Sequence, residues 1–189
     1  MPALDSSLIT KVVRQLSLPP AYAESGVRGS ILTAAATSYG FRADVDELTQ
    51  PTGFDPEAAQ LFEALVESAF LVANADGQFD EAEQTAFQHV VLAACGGFVV
   101  ERQVRALLSD LQDLLVEDGI DKRIDMVARA VTKPDHAREV LRVAALLAEV
   151  SGGVSDVERA VMARLAERLG LPEAQLDQAV REAKSALAR

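Results

Sequence analysis

The chain has 189 residues, 49% of them hydrophobic, with a formal net charge of −11 and a single cysteine, Cys95. That is enough apolar content to bury a sizeable core; it excludes an internal disulfide and a cysteine-rich zinc site, and so acidic a balance argues against a surface for DNA or RNA. No apolar run reaches the roughly 18 uncharged residues of a membrane span, and the opening MPALDSSLITKVVRQL lacks the basic-then-apolar layout of a signal peptide, so we expect a cytoplasmic protein with no direct membrane insertion.

Apolar residues recur at helical spacing almost throughout, without a period-2 strand, which sets the fold class as all-α. Residues 6–16 place Leu8, Val12, Val13 and Leu16 on one side of a short helix that the following LSLPPAYAESG ends. GSILTAAATSYGF reads as a second helix and DVDELTQPTGFDP as a linker, so residues 1–55 form an N-terminal helical extension and residues 56–189 the main domain. From Pro56 a first helix carries Leu61, Leu65, Ala69 and Phe70 on its apolar side, with Glu63 and Glu67 opposite. A second begins at Asp80 and stops at Gly96-Gly97. A third runs through Val104 to Leu115, a fourth from Ile120 to Val131, a fifth from Pro134, a sixth from Ser155 to Leu169 and a last from Pro172. Seven helices with short connections are thus expected in the main domain.

The charge is local. Residues 43–101 hold twelve Asp and Glu and no Lys or Arg, so this segment attracts cations or a basic partner, or simply presents a solvated face. Within it, VANADGQFDEAE has a degenerate copy 75 residues later, since ADGQFDEAE aligns without gaps on VSGGVSDVE. Asp76 falls on Ser151, Gly77 on Gly152, Asp80 on Ser155 and Glu83 on Glu158. The domain therefore reads as two related helix-turn-helix halves.

The first copy overlaps a calcium loop of the EF-hand kind, with Asn74, Asp76, Asp80 and Glu83 at ligand positions and Gly77 at the turn, but Val72 stands where such a loop requires Asp. Capping offers an account without metal. Asp80 with Glu83 and Ser155 with Glu158 both have the capping-box spacing, and Gly77 and Gly152 suit a left-handed helix end. Neither explains Asp76, an acid at a helix C-terminus where the macrodipole disfavours it. Four carboxylates, Asp76, Asp80, Glu81 and Glu83, lie within eight residues, and oxygen donors of this kind select Ca²⁺, Mg²⁺ or Mn²⁺.

AFLVANADGQFDEAEQTAF, with its echo LLAEVSGGVSDVERAVMARLAERLGL, resembles the TerB-like proteins of bacterial tellurite-resistance and stress-response systems over about residues 56–188. The resemblance implies an all-helical domain of two pseudo-symmetric halves, no enzymatic activity, and a divalent-metal site whose ligands map onto Asp76, Asp80 and Glu83. It also implies action in protein complexes near the inner membrane. In the second copy only Glu158 persists among these ligands.

Other chemistry is poorly supplied. His89 lies off the helical face of Glu83, His136 adjoins Asp135 at a helix start, and Cys95 alone offers no dithiol chemistry for tellurite. Three functions follow: a non-enzymatic divalent-metal module using Asp76, Asp80 and Glu83; a metal-free acidic scaffold docking a basic partner protein; and a metal-dependent hydrolase, which lacks a second cluster to supply a base or nucleophile.

Overall fold

In the computed structural model, which describes residues 6–20, 22–23, 29–42 and 53–188, every regular element is helical. Among the described residues there are nine α-helices: α1 (Ser6–Ser17), α2 (Ile31–Gly40), α3 (Pro56–Ala73), α4 (Glu81–Ala94), α5 (Glu101–Asp118), α6 (Ile120–Ala130), α7 (Pro134–Ala148), α8 (Asp156–Arg168) and α9 (Glu173–Leu187). A 3₁₀ turn, Glu149–Ser151, extends α7. Most of the expected linker, residues 43–52, lies outside the described residues.

The helix starts follow local chemistry. Asp55 caps α3 by accepting from the backbone N–H of Glu57 and Ala58, and Pro56 occupies the first turn, where its missing N–H costs nothing. Both expected capping boxes close, Asp80 with Glu83 at α4 and Ser155 with Glu158 at α8. Gly77 (φ 73°) and Gly152 (φ 116°) take the left-handed conformation that ends the helical run before each box.

Helices α3 and α7 form the most extensively packed pair, and α3 is buried along most of its length, from Ala59 to Val72. Glu63 and Glu67, expected on the solvent face opposite the apolar side of this helix, are instead both ion-paired. Glu63 pairs with Arg42 beyond the end of α2, and Glu67, only 7% exposed, accepts from Arg123 Nε of α6 at 2.6 Å. Arg123 also reaches Asp118 at 3.1 Å, so its guanidinium ties α3 to the α5–α6 corner. Charge burial of this kind holds only when both partners are hydrogen-bonded.

The two N-terminal helices share the core of the main domain. Val12 and Leu16 of α1 and Leu32, Ala36 and Tyr39 of α2 are buried in the same cluster as Phe62, Leu65, Val140 and Leu165. Helix α1 lies against α4, α7 and α9, and α2 against α3. A second buried network secures this arrangement. Arg142 of α7 forks onto Glu139 through Nε and Nη2, both at 2.7 Å, and its Nη1 donates to the Gln15 carbonyl of α1 at 2.9 Å. Tyr22 OH donates to the same Glu139 carboxylate at 3.2 Å. Burial alone disfavours the Arg142 charge, but Glu139 more than compensates and raises its pKa; burial and the adjacent carboxylate likewise raise that of Tyr22.

Cys95 is buried at the end of α4, and burial pushes its thiol up to about 12, leaving it without thiolate reactivity. No helix among the described residues is long and apolar enough to cross a membrane.

Candidate functional site

The two copies of the repeat, 75 residues apart in sequence, face one another across a single cleft of about 240 Å³. Its apolar lining comes from Ala73, Phe79, Ala86, Phe87, Leu147 and Val150, and its polar lining includes Asp76, Glu83 and Glu158. Helix α3 delivers the first loop and α7 the second, so the central helix pair fixes the spacing of the two loops. Phe79 is locked edge-on against Phe70 and Phe87, with ring centroids 5.7 and 5.8 Å away. Among the described residues no Lys or Arg lines the cleft.

Asp76, Asp80 and Glu83 of the first loop each have a local partner. Asp76 Oδ1 accepts from Gln78 N–H at 2.9 Å, an Asx turn that shapes the loop. Asp76 therefore has a structural role that helix-capping rules do not reveal. Asp80 Oδ1 accepts from Glu83 N–H at 2.9 Å, and Glu83 Oε2 accepts from Asp80 N–H at 3.1 Å. In the second loop Glu158 Oε2 accepts from both the N–H and the hydroxyl of Ser155 at 2.8 Å. Each of these bonds engages one oxygen of its carboxylate and, among the described residues, leaves the other for solvent or a ligand.

Asp76 and Glu83 line one cleft, whereas Asp80, bonded to Glu83 through the capping box, does not line it. Asp80 lines a neighbouring shallow groove with Glu81, Thr85 and His89 of α4 and Ile9 of α1. Among the described residues no three His, Cys, Asp or Glu side chains form a group that could hold a metal ion. The donors fit a hard cation by chemistry, and by number they fit one that keeps most of its water: Mg²⁺ is commonly held through one or two carboxylates. They do not form a closed cage. His136 is half-buried at the start of α7, its pKa lowered by burial and by Lys133, and it lines a different cleft beside Asp55 and Arg129.

Sequence reasoning passed over Glu149. It occupies the position equivalent to Asn74, and its Oε1 is a buried acceptor with no hydrogen-bond partner. Burial, with Glu158 nearby, raises its pKa, against the opposing effects of Lys184 and the Val154 N–H. A carboxyl that binds its proton more tightly folded than unfolded weakens the fold once pH exceeds its folded-state pKa, and the penalty disappears as pH falls below the unfolded value. Glu149→Gln is therefore expected to raise the Tm at pH 7, with the gain fading as pH falls through the carboxylate range. Thermal melts of both proteins across that range check this; a lower Tm for the variant at pH 7 would contradict it.

Fold and site together define an all-helical module built from a repeated helix-turn-helix unit, with a carboxylate-bearing cleft where the two units meet. The chain belongs to the family described as Tellurite resistance protein TerB, whose family model matches residues 62–181. Those bounds contain both loops and both capping boxes and exclude α1 and α2. Comparison with curated proteins and with solved structures returns no match.

Proposed function

We propose that this chain is a non-enzymatic binding module of a bacterial tellurite-resistance or stress-response system, that it acts through partner proteins, and that the inter-loop cleft is its working site. In this reading Asp76 and Glu83 recruit a largely hydrated divalent cation, Mg²⁺ or Ca²⁺ with Mn²⁺ as a substitute, through the oxygens their local hydrogen bonds leave over. Asp80 acts on Glu83 through the capping box and does not ligate. Glu158, on the facing loop, adds charge at the cleft and draws the cation toward the junction of the two halves. The observation that carries this reading is the presence of Asp76, Glu83 and Glu158 in one cleft that, among the described residues, no basic side chain lines.

Calorimetric titration of chelator-treated protein with Mg²⁺, Ca²⁺ and Mn²⁺, beside an Asp76→Asn variant, tests it. Two monodentate carboxylates on an exposed loop predict saturable binding near the weak end of the protein range, about 0.1–1 mM, and at least about a tenfold loss in the variant, the equivalent of roughly 1.4 kcal/mol. Absence of both heat and thermal shift for the parent protein at millimolar metal would sink the cation reading.

A further inference from the structure

The cleft is richer than a hydrated cation needs. Six apolar side chains line it, two of them the edge-packed rings of Phe79 and Phe87, and a metal ion that keeps its waters gains nothing from that surface. A ligand that uses the whole lining must carry positive charge for Asp76, Glu83 and Glu158 and also apolar or planar bulk for Phe79 and its neighbours. The available volume, about 240 Å³, suits one large side chain with part of a neighbour.

Two cationic side chains meet the charge requirement, and their physics separates them. Lysine presents a strongly hydrated point charge that prefers to keep its water. Arginine presents a weakly hydrated planar fork that pairs bidentately with carboxylates, stacks on an aromatic ring, and lays its aliphatic stem on apolar surface. Resting on the reading of this cleft as the working site, we propose that it docks a segment of a partner protein that inserts an arginine flanked by apolar residues. Charge complementarity carries the choice of occupant, because among the described residues no Lys or Arg lines the cleft and residues 43–101 supply none.

The test follows backbone amide resonances of the full-length protein during titration with three probes: the peptide acetyl-Leu-Arg-Leu-amide, its Lys counterpart of equal charge, and Mg²⁺. The Arg peptide is expected to give saturable shifts confined to Gly77–Phe79 and Gly152–Ser155 by about 10 mM, with the Lys peptide at least about threefold weaker. Asp76→Asn and Glu158→Gln are each expected to weaken the Arg peptide at least about fivefold, and both retain a local hydrogen-bond acceptor. Phe79→Leu, which keeps the apolar bulk and removes the ring, is expected to erase the preference for Arg over Lys. Equal affinity for the two peptides, shifts spread over the acids of α5, or no saturation would overturn the proposal. Concentration-dependent shifts at the cleft without peptide would also overturn it, in favour of a second copy of this chain. A Mg²⁺ response without a peptide response overturns this proposal and leaves the cation reading standing, and the reverse removes the cation reading alone.

Discussion

Gly40→Ala is expected to destabilise the protein by about 3 kcal/mol or more, at the upper end of what overpacking a core costs. A Cβ at this position would overlap the Phe98 carbonyl oxygen and lie 2.9 Å from its carbonyl carbon. Both obstacles are backbone, so no side-chain rotation relieves them. The contact belongs to the joint where the last turn of α2 meets the α4–α5 turn, and Gln103 Nε2 donates to the Gly40 carbonyl there at 3.4 Å. Separating these segments also disturbs Thr33, whose hydroxyl donates to the Ala94 carbonyl at 3.3 Å. Urea unfolding measures the effect, with Gly29→Ala as the comparison, since a Cβ at Gly29 meets nothing within 4 Å. A difference between the two variants below about 1 kcal/mol would show that α2 does not seat as described.

Arg142→Ala is expected to cost about 3–5 kcal/mol, because it leaves the Glu139 carboxylate, 0% exposed, without the fork that neutralises it. It also removes the donor to the Gln15 carbonyl, so α1 loses a tie to α7 in the same step. The double variant Glu139→Leu/Arg142→Met is expected to recover much of the loss, since replacing a whole buried pair with apolar groups is often close to neutral. Chemical denaturation of the two single variants and the double variant forms the cycle that separates pairing from packing. A double variant as unstable as Arg142→Ala would show that the network holds α1 in place by geometry that apolar contacts do not replace.

Features set by near neighbours in sequence were legible from it. The capping boxes at Asp80 and Ser155, the left-handed glycines at 77 and 152, and the helix starts at Pro56 and Pro134 each depend on residues within one turn. The amphipathic stripes then gave the fold class. The Asx turn of Asp76 is just as local, but the same residue type also suits a metal ligand, and sequence does not separate the two.

What escaped depended on distance. Nothing in a helical pattern distinguishes Glu67, buried against an arginine 56 positions away, from the other acids of its helix. A stretch read as a linker before Phe54 carries no information on whether the helices preceding it fold back, and α1 and α2 do so through Val12, Leu16 and Leu32. The repeat showed that two loops are alike; that they meet across a cleft is a consequence of α3 packing on α7. Asp80 and Glu83, three residues apart, close a capping box, whereas Glu83 and Glu158, far apart in sequence, line the same cavity.

The central claim is that the junction of the two loops is where this protein binds. Amide shift mapping during a Mg²⁺ titration of the full-length protein tests it most directly. Saturable shifts are expected at Asp76, Gln78 and Glu83 together with weaker ones at Gly152–Glu158, and their loss in Asp76→Asn. Shifts centred on Glu81 and His89 in the neighbouring groove, or none in either loop, would contradict it.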